Sequence, residues 1–207
     1  MLRRLIKHIY HTSLTVLPLF VFLASIFGSL IIGFVIVMAT QLNMQVELGS
    51  LIVTFVVTAF SPFFTIVFIY IRYITFINKK ITQSTNEIII QKFLLAYLLG
   101  GIFSSIALAS IFSVIMLVSA YLFTFFFMGM DIHSYKFIIF DAIKIQTLLL
   151  FLSKASLFGF IAMSIPLYIK LESNETARKS APIHMIIPFL LALFFIEMVS
   201  FTFQSLF

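Results

Sequence analysis

The chain has 207 residues, of which 62% are hydrophobic and 10% charged, with a formal net charge of +6 and no cysteine. A soluble domain is roughly 45–50% apolar and about 25% charged, so a mean hydropathy of +1.21 excludes an ordinary soluble fold and makes a bilayer the solvent. The missing cysteine excludes disulfides, thiolate nucleophiles and cysteine-based metal sites, and the length holds one membrane domain, 1–207, with no second soluble domain.

The first twelve residues carry Arg3, Arg4, Lys7, His8 and His11 beside Leu2, Leu5, Ile6, Ile9 and Tyr10. In a helix over 1–12 these form a basic and an apolar set suited to the membrane interface. The apolar run that follows is longer than the h-region of a signal peptide and has no A-x-A site after it, so it is expected to remain as a span.

Five spanning segments are predicted, at about 14–40, 48–71, 91–127, 138–170 and 183–206. A helix needs about 20 apolar residues to cross the ~30 Å hydrocarbon core, so the first, third and fourth must tilt, kink or project. Pro18, Pro62, Pro166 and Pro188 fall inside these segments, where neighbouring helices make proline tolerable.

The gaps set an orientation. Arg3, Arg4 and Lys7 precede segment one; Arg72, Lys79, Lys80 and Lys92 bracket the second gap; Lys170, Arg178 and Lys179 occupy the last. The 41–47 gap has no Lys or Arg, and 128–137 has only Lys136, offset by Asp131. Positive residues stay inside. The expected fold is an all-α integral membrane protein, an interfacial helix plus five spans, with a cytoplasmic amino terminus. The same placement turns the +6 charge away from a nucleic-acid reading.

No catalytic signature is present: no G-x-x-x-x-G-K-S/T phosphate loop and no H-E-x-x-H zinc motif. The four histidines lie at segment ends, where solvated side chains are expected, so neither a metal nor a cofactor is predicted. Two ionisable residues fall at membrane depth, Lys154 midway along segment four and Glu197 midway along segment five. Each costs at least ~2.5–3.5 kcal/mol at a bilayer centre, so each needs a partner, a cavity or water. Two roles follow, a Lys–Glu lock between helices or the polar lining of a substrate path. Asp141 and Lys144, three apart, can pair on one face. Ala24 with Gly28, and Gly101 with Ser105 and Ala109, repeat at the four-residue spacing that allows close helix approach in lipid.

Leu48-Gly49-Ser50-Leu51-Ile52-Val53, then Ser61-Pro62-Phe63-Phe64, then Ile71-Arg72, resembles the permease signature of MlaE/YrbE-type proteins. That signature reads L-G-x-L-I/V, then R-E-L-G-P, then A-G-R, and the spacing fits without a gap. Leu152-Ser153-Lys154-Ala155 is similar to the family's L-I-K-S run, and Glu197 stands where the family's last helix often carries an acidic residue. The family's Arg-Glu pair falls on Thr58-Ala59, its Gly before Pro on Ser61, and the gap after Arg72 is short.

The resemblance implies a non-enzymatic permease subunit of an ABC system that moves phospholipid between the inner and outer membranes of a bacterium. It implies residence in the inner membrane as a homodimer, with a separate P-loop ATPase and an MCE-domain lipid-binding partner. Arg72, Lys79, Lys80 and Glu87 are then the expected ATPase-coupling residues and Lys154 and Glu197 the lipid-path residues, with Phe-rich walls from segments one, two and five against acyl chains. A membrane scaffold or accessory subunit with no transport path is the alternative.

Overall fold

Two residues with positive φ, Asn43 at 54° and Gly129 at 63°, end two long helices and set the hairpins on one side of the bundle. Glycine and asparagine are the residues that reach this left-handed region at least cost. In a computed structural model, which describes residues 17–81, 87–172 and 181–206, helix α1 spans Leu17–Gln41 and α2 runs through Gln45–Phe55, Val56–Phe60 and Ser61–Ile81. Helix α3 covers Glu87–Met128, α4 Ile132–Ala142, α5 Ile145–Glu172 and α6 Ala181–Leu206. The interfacial helix expected over 1–12 lies outside the described residues.

Four described stretches are long and apolar enough to cross a membrane: Leu17–Gln41, Val46–Ile71, Leu98–Met128 and Ile145–Ile165. Within α6, Ile186–Ser200 is a shorter apolar helix. Among the described residues every element is helical, as hydrocarbon demands of a chain that must satisfy its own backbone groups.

Segment four differs from the single span expected over 138–170. It is two helices, α4 and α5, parted at Ile143 and Lys144. Ile143 has φ −93° and ψ 78°, close to an inverse γ-turn, and the Lys144 N–H donates to the Ala142 carbonyl at 3.2 Å. That carbonyl also accepts from Thr147 Oγ1 at 3.0 Å and from Thr54 Oγ1 of α2 at 3.3 Å. The break persists because three donors converge on the oxygen the helix end leaves free. At the other end of α4, Asp131 accepts from the His133 N–H at 3.2 Å, an amino-terminal cap.

Each of the first two spans contains a π-helical stretch, Gly28–Gly33 in α1 and Val56–Phe60 in α2. The second runs straight into Ser61-Pro62. Proline lacks an N–H and its ring collides with the carbonyl four residues back, and a widened turn relieves that conflict. Gly28 is required by closeness rather than by dihedral, since a Cβ there would lie 2.2 Å from the Met116 carbonyl oxygen.

The core between α1, α2 and α3 is aromatic. Phe20 meets Phe112 with ring centroids 4.7 Å apart and Phe68 at 5.5 Å, while Phe27 packs on Phe60 and Phe64 at 5.3 and 4.8 Å. Phe20 and Phe112 are fully buried, and Phe27, Phe60, Phe64 and Phe68 pack partly buried against the core. Phe22, Phe34, Phe55, Phe194 and Phe195 are exposed.

Candidate functional site

Helix α5 presents Phe151, Lys154, Ala155, Phe158 and Ala162 inward, and α6 presents Phe189, Leu193 and Ser200, all buried. Glu197 lies on the same face of α6, four residues past Leu193. The two faces bring Lys154 Nζ to 2.8 Å from Glu197 Oε2, a charge-assisted hydrogen bond.

Cross-helix contacts give the depth of this pair. Tyr70 of α2 stacks on Phe189 of α6 with centroids 3.6 Å apart, and Thr54 marks the α4–α5 turn. Those levels are about 24 Å apart along α2 at the helical rise. Glu197 stands about 12 Å from Phe189 along α6, and Lys154 about 15 Å from Lys144 along α5. The two counts meet near the middle of the bundle.

The pair is lopsided. The Lys154 side chain is 4% exposed and that of Glu197 28%. Glu197 Oε1 is itself buried with no hydrogen-bond partner, and so is the Ser200 hydroxyl three residues on. The lysine is enclosed by protein, whereas one edge of the glutamate is open on the surface of the bundle. The open grooves between α1 and α3, near Ser25, Ser29 and Ser119, and beside α4, near His133 and Ser134, include neither residue.

Small residues hold the helices that carry the site. Ala24, Gly28, Gly101, Ser105 and Ala109 are all buried. Gly101 lies against Met163 and the Gly159 carbonyl, and a Cβ on Gly159 would stand 2.7 Å from the Gly101 carbonyl oxygen and 2.8 Å from Ser105 Cβ. The Ala109 carbonyl accepts from Ser61 Oγ of α2 at 2.7 Å. Gly159 escaped the sequence reading, although Ala155-x-x-x-Gly159 carries the same small-residue spacing.

Asp141 and Lys144 approach to 3.8 Å across the α4 terminus, an exposed contact worth little. The backbone is helical through Arg72, Lys79, Lys80 and Glu87, but their side chains lie outside the described residues. On α4, Tyr135 donates to the Leu117 carbonyl at 2.7 Å. Burial pushes its phenol above the ordinary tyrosine range, which keeps it a neutral donor.

Apolar helices of spanning length around a charge pair at mid-depth define a multi-pass membrane protein. The family model described as Permease MlaE matches residues 5–205. The chain therefore belongs to the MlaE permease family and is a membrane permease subunit. Comparison with curated proteins and with solved structures gives no match.

Proposed function

We propose that this chain is the transmembrane subunit of an ABC-type system that carries phospholipid between the inner and outer membranes of a bacterium. In this reading it has five spans, a cytoplasmic amino terminus and a place in the inner membrane. It works as a homodimer beside a separate P-loop ATPase and an MCE-domain lipid-binding partner. Arg72, Lys79, Lys80 and Glu87 lie on the ATPase side, and a reporter fused at residue 83 should read inside. An outside signal there would overturn the orientation.

The observation that carries this reading is the open edge of Glu197. Its carboxylate keeps one oxygen, Oε1, without a hydrogen-bond partner beside a side chain that is 28% exposed, and at mid-depth such an oxygen would cost several kcal/mol unless water, a headgroup or a second protomer completes it. A lipid headgroup moving through the membrane needs such a polar wall. Lys154, closed in by protein, holds the glutamate in place from behind that wall and balances its charge.

The direct 2.8 Å contact also favours a second reading, a lock that fixes α5 to α6 in a scaffold. The double variant Lys154→Met, Glu197→Leu separates the two, because a buried pair is often replaced by apolar residues at little stability cost. With a lipid path, the double variant accumulates normally in membranes while lipid transfer falls. Full transfer at normal abundance would leave only the lock.

A further inference from the structure

The turn that joins α4 to α5 lies where the hydrocarbon ends. The apolar stretch of α5 that is long enough to cross a membrane, Ile145–Ile165, begins directly after the turn, and its 21 residues span about 30 Å at the helical rise, which leaves α4 beyond its end. The hydrocarbon slab is ~30 Å thick.

At that level the molecule changes character. Helix α4 buries Tyr135, Ile138 and Ala142 against the bundle and leaves Lys136, Phe137 and Phe140 exposed on the opposite side. Phe137 is 62% and Phe140 76% exposed, and Ile145, the first residue of α5, 78%. Lys144 sits between Phe140 and Ile145 with its side chain 68% exposed, and its contact with Asp141 is long. Large apolar side chains interleaved with lysines form an arrangement that water alone does not satisfy. It suits a layer in which rings and aliphatic tips sink while ammonium groups reach phosphate. Exposed apolar side chains continue from Phe140 and Ile145 into Leu148, Leu149 and Leu152 of the α5 span, which already faces lipid in a multi-pass protein.

We propose that the outer face of α4 and its turn into α5 form a docking surface for the phospholipid headgroup layer, with Phe140 and Ile145 sunk at its base and Lys136 and Lys144 on lipid phosphates. The occupant is the bilayer surface, selected by continuity with the lipid-facing wall of α5 and by lysines interleaved with exposed rings, while Asp131 is turned to the α4 amino terminus as a cap and Asp141 lies 3.8 Å from Lys144. The surface lies apart from Lys154 and Glu197 and does not depend on transport.

The chain contains no tryptophan, so Phe140→Trp places one reporter on this face without disturbing the core. The full-length variant is reconstituted into vesicles of phosphatidylcholine and phosphatidylglycerol. Lipids brominated near the ester end of the acyl chain should quench the introduced indole more than lipids brominated at the chain terminus. Brominated phosphatidylglycerol should quench it more than brominated phosphatidylcholine, and Lys144→Gln in the same background should lower that preference by roughly fivefold. Leu149→Trp serves as the deeper, lipid-facing control. An indole quenched by aqueous iodide and untouched by bromolipid would overturn the proposal. One shielded from both would also overturn it, since a protein would then cover the face. Equal quenching by the two lipids, unchanged in Lys144→Gln, would remove the phosphate contact.

Discussion

Helix α5 is held on two sides by opposite means. Against α3 it closes through Gly101, Ser105 and Gly159, with the Gly159 backbone on the Gly101 carbonyl and Ser105 Cβ and the Met163 side chain folded over Gly101. Against α6 it is joined by a lysine and a glutamate 2.8 Å apart. Lipid tails are as apolar as leucine, so neither contact gains from the hydrophobic effect, and both rest on what lipid cannot supply. The glycine contact supplies shape, cannot be hydrated and has no alternative partner. The ionic contact supplies direction and can exchange its partner for water or a headgroup. One side of α5 is thus fixed, and the other can be opened.

The largest effect should come from stranding the enclosed charge. Glu197→Leu leaves Lys154 buried without a counter-ion, a loss of about 3–5 kcal/mol, read as a severe fall in membrane abundance. Lys154→Met should cost less, about 1–3 kcal/mol, because the Glu197 side chain is 28% exposed where that of Lys154 is 4%. Equal losses in the two variants would mean that the exposed part of Glu197 faces hydrocarbon, and would erase the contrast between the two sides of α5.

On the other side, Gly159→Ala forces a methyl into the backbone of α3 and should destabilise by about 1–3 kcal/mol. Thermal unfolding in detergent, followed by circular dichroism, measures it. Lipid transfer per folded molecule should stay unchanged, since the glycine contact lies on the α3 side of α5 and the charge pair on the α6 side. A transfer defect at full stability would show that the α3–α5 contact moves during function.

The fold class was legible because solvent imposes it: apolar blocks of spanning length and the placement of Arg72, Lys79 and Lys80 say bilayer before any packing is known. The two charges of the site were legible for the same reason, because Lys154 and Glu197 interrupt runs that tolerate no charge. Their lopsided burial was not, since it depends on how α5 and α6 rotate about their axes. The break at Ile143 and Lys144 was hidden too. The run from Phe137 to Leu152 has no proline or glycine, and one of the donors that stabilise the break, Thr54, lies 88 residues away in sequence. The π-helical stretch in α2 left a trace in Pro62, whereas that in α1 shows only as Gly28 and Gly33, which report closeness to α3 and not the hydrogen-bonding pattern.

The Ala142 carbonyl ties one end of α2, through Thr54, to the head of α5, through Thr147 and the Lys144 amide. While that tie holds, α2 and α5 cannot slide past one another; they can only fan apart from it like the blades of a pair of shears. Displacement then grows with distance from the rivet. An opening of about 10° would part the helices by about 4 Å at the level of Tyr70, some 24 Å away along α2. With α6 carried along by the Tyr70–Phe189 stack on α2, the same opening at half that distance would part α5 from α6 by about 2 Å near the Lys154–Glu197 contact, close to the difference between a direct hydrogen bond and one bridged by water.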